Sequence, residues 1–199
     1  MIPRHLLIGI VILLAATLGM SVYVWRIRSR VHRTEVSASN TQPVAPPVTG
    51  ATERVTLYVA YDDAGVLRPQ PVHIQLPSGR QERAAEILRA LLTLYLDKSS
   101  PHPLAAGSEI RDLYLVDPGL AVIDLNAAFA DNHRSGVLVE ELTVVSLIQT
   151  LTANIAGITR IKILVEGSER DTLAGHADLS NFYDAPAVTQ AVAQLQNAQ

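Results

Sequence analysis

The residues in this sequence best suited to chemistry are His176 and Asp178, two positions apart near the C-terminus. An imidazole and a carboxylate close together can bind a metal ion or transfer a proton, as a hydrolase requires. The same residues can instead fix their own loop, because an Asp side chain readily accepts hydrogen bonds from nearby backbone N–H groups. We favour the loop-fixing interpretation and keep hydrolysis as the alternative.

A second group of candidates lies in the middle of the chain. Asp124 ends a predicted strand, and Asn126 begins a short helical turn. Asp124 can act as a binding carboxylate or as a cap at the helix entry, and we favour the cap; Asn126 is itself a preferred N-cap residue. Arg134 precedes Ser135 and Gly136 at a predicted helix N-terminus, where an anion can bind. A single arginine is weak support for an anion site, so we expect solvated surface there.

The common catalytic and cofactor motifs do not occur in the sequence. It contains no cysteine, which excludes disulfides, thiolate zinc sites, a cysteine nucleophile and a lipidated cysteine. It also lacks the glycine-rich phosphate loops, the GxSxG elbow and HExxH. The adjacent carboxylates Asp62-Asp63 and Glu140-Glu141 are typical of a turn and of a solvated helix face. The sequence therefore predicts no catalytic residue, no cofactor and no metal ion.

Strands and helices alternate around these candidates. Apolar runs rich in β-branched residues predict strands, and apolar residues at intervals of three and four predict two long helices. In chain order the predicted elements are strands near 55–61 and 72–76, a helix over 80–96, strands over 109–116 and 120–125, a helix over 135–155 and a strand over 159–165. Each long helix needs a sheet face on which to bury its apolar stripe, so the order β-β-α-β-β-α-β predicts an α/β two-layer sandwich with one mixed sheet. We assign residues 51–184 to this domain and 185–199 to a flexible tail.

An apolar segment precedes the domain. Leu6–Trp25 comprises twenty residues without a charge, and a helix of that length spans the roughly 30 Å hydrocarbon core of a bilayer. A cleaved signal peptide is the alternative, but its apolar part is usually shorter. We predict one uncleaved transmembrane helix over 6–25, in contact with membrane lipid, after a short flank of residues 1–5.

Charge divides the chain into two parts. The whole sequence has a formal net charge of −3, but residues 1–35 carry five arginines and one glutamate, and residues 36–50 carry no charge. The remainder is acidic, with 11 basic and 18 acidic residues, which disfavours a nucleic-acid partner. Residues 26–50 are therefore interpreted as a basic flank and a linker rich in Pro, Ala and Ser.

The arginines also bear on which side of the membrane the domain occupies. Arg26, Arg28, Arg30 and Arg33 follow the apolar segment, whereas Arg4 precedes it. Positive residues concentrate on the cytoplasmic side, so this asymmetry alone predicts a cytoplasmic-facing membrane adaptor. The rule is statistical, however, and anionic lipid headgroups also attract arginines.

From about residue 55 to residue 180 the sequence resembles the GerMN domain, which occurs in sporulation and spore-germination proteins and in envelope lipoproteins. The segments that match, in order, are VTLYVAY, RAAEILRALL, PLAAGSEIRDLYLVDPGLAVIDLNAAF and VEELTVVSLIQTLTANIAGITRIKILVEG. Glu166-Gly167 ends the last of these, and Gly175-His176-Ala177-Asp178 is similar to the closing motif of the family. The sequence departs from the family pattern after the first helix, where it has LYLDKSSPHP.

The resemblance implies a compact, non-catalytic α/β module, similar to ring-building domains, outside the cytoplasmic membrane. We therefore expect a single-pass protein of the cytoplasmic membrane with an extracytoplasmic domain, against the arginine asymmetry. Its expected role is in cell-envelope assembly, sporulation-type complex formation or cell-wall association, with an envelope protein, peptidoglycan or a second copy of the chain as partner. The positions expected to be family-motif or interaction residues are Asp124, Asn126, Glu166, Gly167, Gly175, His176 and Asp178.

Overall fold

The structure is a computed structural model that describes residues 50–116 and 118–197. The chain divides into two units, Met1–Pro47 and Val48–Gln199, and the described residues belong to the second. The predicted transmembrane helix over 6–25 and its flanks lie outside the described residues, so that helix stays a prediction. Across the described ranges, no helix is both long enough and apolar enough to cross a membrane.

The described part of the chain is a mixed α/β domain. Its elements in chain order are β1 Ala51–Tyr61, β2 Val66–Leu76, α1 Arg80–Leu96, β3 Ile110–Val116, β4 Leu120–Leu125, α2 Ala127–Asp131, α3 Val137–Asn154, β5 Arg160–Val165, β6 Tyr183–Asp184 and α4 Ala185–Asn197. The seven predicted strands and long helices are all present. The helical turn expected after β4 is α2, whereas β6 and α4 are additional.

The strands form two sheets, which corrects the prediction of a single mixed sheet. β1 and β2 form a two-stranded antiparallel hairpin, and the second sheet has the order β3-β4-β5-β6. Within the second sheet, β4 and β5 are parallel while the other neighbours are antiparallel. The second sheet alone is therefore the mixed sheet that the hairpin and crossover pattern indicates.

Side chains on helices explain why β1 gains no further strand. The backbone N–H of Thr56 donates to Asn154 Oδ1 at 3.0 Å, and Asn154 Nδ2 donates back to the Thr56 carbonyl at 2.8 Å. The N–H of Tyr58 donates to Thr150 Oγ1 at 2.9 Å, and that of Ala60 donates to the Tyr95 hydroxyl at 2.9 Å. Because backbone groups at a strand edge need hydrogen-bond partners, polar side chains of α1 and α3 take the place of a neighbouring strand.

One continuous apolar core joins the two sheets to the helices. α1 buries the stripe that the sequence predicts: Ala84, Ile87, Leu88, Leu91, Leu92 and Tyr95. Ile123 and Ile163 of the central strands are fully buried, as is Phe129 of α2. Burial of a side chain of this size typically contributes about 1.5–3 kcal/mol, so this core positions every polar cluster described below.

The solvated helix face predicted at Glu140-Glu141, which lie on α3, is in part wrong. Glu140 and Gln149 are buried, whereas Glu141 is exposed. Gln149 is covered by the C-terminal segment, where Thr189 donates to Gln149 Oε1 at 3.0 Å.

That segment is not the flexible tail that the sequence predicts. It forms helix α4, whose Ala185 and Val192 are buried, and α4 contacts α3 and β2. The segment is rich in Ala and Gln, which favour helix. A lone helix of this length is marginal in water, so its packing on α3 and β2 stabilises it.

Candidate functional site

The seven predicted motif positions lie in two separate clusters. Asp124, Asn126, Glu166 and Gly167 meet where β4 and β5 end. Gly175, His176 and Asp178 lie in the loop between β5 and β6, against the N-terminus of α3. Each cluster consists of bonds that hold the fold.

In the first cluster, Asn126 is the N-cap of α2, as its residue type predicts. Its Oδ1 accepts from the Phe129 N–H at 2.9 Å and from the Glu109 N–H at 3.1 Å, while its Nδ2 donates to the Gly107 carbonyl at 2.7 Å. A single side chain thus ties the helix start to the loop before β3.

Asp124 does not cap the helix entry, contrary to our expectation. Its Oδ1 accepts from the Gly167 N–H at 2.8 Å and so fixes the turn after β5. Gly167 adopts a left-handed backbone with φ of 71°, a region that favours glycine. The carboxylate of Asp124 is therefore used to join the end of β4 to the end of β5.

Glu166 connects the same turn to α2. Its Oε1 accepts from the Ala127 N–H at 2.8 Å, at the first residue of α2, and its Oε2 accepts from Arg111 at 2.7 Å. Glu166 holds a φ of 53°, which is unusual for a residue with a side chain. The bonds to Ala127 and Arg111 fix this conformation.

In the second cluster, the central group is Glu140, which the sequence analysis assigns to a solvated face. It is fully buried. Its Oε2 accepts from the backbone N–H groups of Ala174, His176 and Ala177 at 2.9–3.0 Å, and its Oε1 accepts from the Gly136 N–H at 3.1 Å. Glu140 therefore holds the β5–β6 loop on the N-terminus of α3.

The same contacts set the charge of Glu140. Burial raises the pKa of this carboxyl, but hydrogen bonds from the His176 side chain and from backbone N–H groups outweigh burial and lower the pKa to about 2. Glu140 is thus a carboxylate at neutral pH. It is poorly suited to general-base work at that pH, because such a base needs a pKa near the operating pH.

His176 and Asp178 bond to different partners. His176 Nδ1 lies 2.8 Å from Glu140 Oε1 and 3.4 Å from Ser135 Oγ. Asp178 accepts from the Ser180 N–H at 2.8 Å, the Ser180 hydroxyl at 2.5 Å and Asn181 Nδ2 at 2.8 Å, and these bonds lower the pKa of its carboxyl. The bonds of Asp178 thus lie within its own loop, whereas the imidazole of His176 contacts α3. In residues 50–116 and 118–197, no group of three or more His, Asp or Glu is arranged to hold a metal ion.

A buried polar chain, which the sequence analysis does not identify, links the β1–β2 turn to α3. His102 is fully buried; its Nδ1 lies 2.5 Å from Asp62 Oδ1, and its Nε2 lies 2.6 Å from Thr143 Oγ1. His133 Nε2 reaches the same hydroxyl at 2.8 Å, and Arg134 pairs with the other oxygen of Asp62. Burial lowers the pKa of both His102 and His133 and so favours neutral imidazoles.

The carboxylate–imidazole–hydroxyl order of this chain is that of a catalytic triad. Thr143, however, is fully buried on α3 and its hydroxyl also contacts the Val139 carbonyl at 3.0 Å. A nucleophile must touch its substrate, which a hydroxyl closed inside the core does not. This buried row of hydrogen-bonded side chains therefore fixes the loop after α1, where the sequence has Pro101-His102-Pro103.

A groove of about 480 Å³ lies between α1 and β3. Its lining includes Leu92 and Leu113, both buried, and Ser108. Among the described residues, the Ser108 hydroxyl is the one buried side-chain polar atom without a hydrogen-bond partner. No sequence motif marks these positions, since they come together only when α1 packs beside β3.

Comparison with known proteins identifies the family. The model of the Germane family, described as "Sporulation and spore germination", matches residues 56–171, more than half of the chain. The chain belongs to the Germane family. The match includes the first cluster of motif residues and Glu140, and it ends five positions before His176, so Gly175, His176 and Asp178 lie beyond it.

A solved structure of GerMN domains shares the fold of this Germane domain. The tandem GerMN domains of the sporulation protein GerM from Bacillus subtilis align with a TM-score of 0.51 and 17% identity, over 67% of this chain and 46% of that chain. The first GerMN domain of the same protein aligns with a TM-score of 0.47 and 19% identity, over 64% of this chain and 93% of that chain. A Clostridium perfringens protein described as a lipoprotein aligns with a TM-score of 0.45 and 21% identity, over 71% of this chain and 92% of that chain. No curated protein is significantly similar to this chain.

Proposed function

We propose that this Germane protein is a membrane-tethered, non-catalytic module that assembles complexes of the cell envelope from the outer side of the cytoplasmic membrane. Membership of a sporulation-related family that is not a known enzyme family supports the role in assembly. The tether rests on the apolar segment Leu6–Trp25. The proposed partner is an envelope protein, peptidoglycan or a second copy of the chain.

The observation that carries the non-catalytic proposal is the use of the candidate groups within the fold. Both oxygens of Glu140 are fully bonded, His176 contacts Glu140, and Asp178 binds its own loop. The Asp62–His102–Thr143 chain is enclosed at His102 and Thr143. The side chains that could perform acid–base chemistry are thus engaged in holding loops and helix ends.

The alternative, an envelope hydrolase, is favoured by one observation. The side chain of His176 is 41% exposed, so solvent and a substrate can reach the imidazole. This alternative requires that purified protein turn over an envelope substrate and that His176→Ala abolish the turnover without loss of fold. Equal, background-level turnover by both proteins would leave the assembly role.

The location of the domain is tested by protease accessibility. Spheroplasts that express the full-length chain with a C-terminal epitope are treated with protease, with and without detergent lysis. An extracytoplasmic domain is digested before lysis, whereas a cytoplasmic marker protein in the same sample is protected. Protection of the epitope until lysis would show the cytoplasmic adaptor that Arg26, Arg28, Arg30 and Arg33 favour.

The assembly role is tested by cross-linking in intact cells. We expect a cross-linked species that contains this chain together with an envelope protein, peptidoglycan or a second copy. A shortened chain that ends at residue 50 keeps the apolar segment but lacks the domain, so it controls for contacts made by the apolar segment alone. Cross-linked products that are the same with and without the domain would contradict an assembly role for the domain.

A further inference from the structure

The groove between α1 and β3 runs along the open edge of a sheet. β3 is an outer strand and pairs with β4 alone. The Leu115 N–H is directed away from β4, toward Gln81 Oε1 on α1, 3.5 Å away. Because backbone groups of alternate residues point to the same side of an antiparallel strand, Leu113 also directs its N–H and C=O into the groove. The edge thus offers hydrogen-bonding groups at the spacing of a strand.

The hydroxyl of Ser108 is a polar group of the groove lining that has no hydrogen-bond partner among the described residues. The residue is 1% exposed and its Oγ has no hydrogen-bond partner among the described residues. Buried polar side-chain atoms in folded proteins are nearly always bonded. Ser108 lies in the groove lining beside the start of β3, so the described part of the fold leaves one polar group of the lining without a hydrogen bond at that end of the groove.

The charge of the lining indicates the sign of the ligand. Three acidic side chains form no ion pair within the described residues: Glu82, Glu109 and Asp112. The two arginines of the lining are each neutralised by a carboxylate outside it: Arg89 by Glu86 and Arg111 by Glu166. The groove therefore has an uncompensated negative rim, which favours a cationic ligand.

We propose that this groove binds a basic, extended peptide segment of a partner protein, which adds to β3 as a further strand. In such strand addition the backbone bonds supply affinity and alternate side chains supply specificity. Apolar side chains of the segment lie on Leu96, which is exposed, and on Ile110, which is half-buried. Its lysines or arginines meet the acidic rim. The proposal deepens the binding role proposed above and rests on it, but it does not depend on the side of the membrane.

The direct test is peptide binding to the full-length chain, purified in a mild detergent and followed by fluorescence anisotropy. The probe is a labelled peptide of alternating valine and lysine with the length of β3, seven residues. We expect saturable binding. A valine–glutamate peptide is expected to bind at least about tenfold more weakly, and a valine–lysine peptide with alternate backbone nitrogens methylated is expected not to bind. Equal binding of all three peptides would overturn the proposal.

Variants localise the binding to the groove. Glu109→Lys combined with Asp112→Lys is expected to weaken the valine–lysine peptide about tenfold, because two rim charges are reversed. Thr93→Arg, an exposed lining position on α1, is expected to block the groove with a long side chain. Circular dichroism and thermal melting verify that each variant is folded.

Asp63→Lys is the matched control for charge. Asp63 is exposed in the β1–β2 turn and does not line the groove, so this change is expected to leave peptide affinity within about twofold of the unmodified chain. The single variant Asp112→Lys reverses one charge in the groove and is the direct comparison. Equal weakening by Asp63→Lys and Asp112→Lys would show non-specific attraction to an acidic domain and would contradict the proposal.

The result also separates this inference from the proposed function. If no peptide binds while cross-linking in cells still captures an envelope partner, the groove inference is wrong and the assembly role stands. If the valine–lysine peptide binds in the groove while the protease test places the domain in the cytoplasm, the groove inference stands and the extracytoplasmic role is wrong.

Discussion

Two outer strands of this domain meet a helix in opposite ways. β1 lies beside α3, and Asn154 and Thr150 bond the backbone of Thr56 and Tyr58 at 2.8–3.0 Å. β3 lies beside α1, where Gln81 Oε1 is 3.5 Å from the Leu115 N–H, a distance at the limit of a hydrogen bond. An edge whose groups are bonded within the chain has no capacity to recognise another chain, whereas an edge left open has that capacity. The contrast separates the bonds that stabilise this domain from those available to a partner.

The largest expected effect comes from separating the β5–β6 loop from α3, the helix whose side chains also bond β1. Glu140→Ala leaves the partly buried N–H groups of Ala174 and His176 and the buried N–H of Ala177 without their acceptor. We expect the free energy of unfolding to fall by about 3 kcal/mol, since each unsatisfied buried group is costly. Urea denaturation measures the change, with the adjacent exposed Glu141→Ala as control. Similar losses for both variants would contradict the central role given to Glu140.

The next effect compares the two edges directly. Asn154→Ala removes both bonds to the Thr56 backbone, and we expect a loss of about 2 kcal/mol in the free energy of unfolding. Gln81→Ala at the β3 edge is expected to leave stability unchanged within error, because the contact that it removes is long. Equal destabilisation by the two variants in urea denaturation would break the contrast between a bonded and an open edge.

Acid should weaken the contribution of Glu140, on α3, to the free energy of unfolding. The pKa of Glu140 is lowered from 4.5 to about 2 in the folded protein, so its contribution is complete above pH 4.5 and is lost as the pH falls toward 2. One such carboxyl changes the free energy of unfolding by at most about 1.4 kcal/mol per pH unit. We expect Glu140→Gln to flatten the pH dependence of stability below pH 4.5, as measured by urea denaturation at a series of pH values.

A second, separate acid response comes from the buried imidazoles. Burial lowers the pKa values of His102 and His133 below 6.5, so their contribution is complete above pH 6.5 and declines as the pH falls. This decline should persist in Glu140→Gln between pH 6.5 and 4.5. A variant that lost the pH dependence in both ranges would show that the assignment to separate groups is wrong.

The smallest expected effect lies in the groove. Ser108→Ala removes a buried hydroxyl that has no hydrogen-bond partner among the described residues, so we expect the free energy of unfolding to be unchanged or to rise by about 0.5 kcal/mol. Thermal melting measures this change, and Ser146→Ala provides the matched control, because Ser146 Oγ accepts from the Tyr95 hydroxyl at 2.8 Å. A loss for Ser108→Ala as large as that for Ser146→Ala would mean that Ser108 is bonded within the fold.

The helices and strands can be predicted from the sequence more readily than the contacts between them. The apolar stripe of α1 and the N-cap at Asn126 depend on residues within a few positions of one another, and both are predicted. Glu140 is wrongly assigned to solvent, because its three backbone donors lie 34 to 37 positions away. Asp62 lies in a turn, as predicted, but its bond to His102 bridges 40 positions and leaves no local pattern.

The separation into two sheets is likewise set by distant residues. A strand pattern predicts that β1 has an edge, but it does not predict that Asn154 and Thr150 will bond that edge. The groove is harder still to predict, since its distinguishing feature is a hydroxyl without a partner, and residue type alone does not specify whether a serine is bonded. The family resemblance, by contrast, rests on the order of several segments and is confirmed by the family match over residues 56–171.

The way β1 is bonded has a consequence for the newly made chain. Thr56 leaves the ribosome 98 residues before Asn154, the side chain that bonds it. At a synthesis rate of about 5–20 residues per second, that interval is roughly 5 to 20 seconds. During this time the hairpin can form, but the outer backbone groups of β1 are still bonded to water or to another chain. Factors that bind exposed strand edges should therefore capture nascent chains that end before residue 150 more strongly than they capture the released, full-length chain.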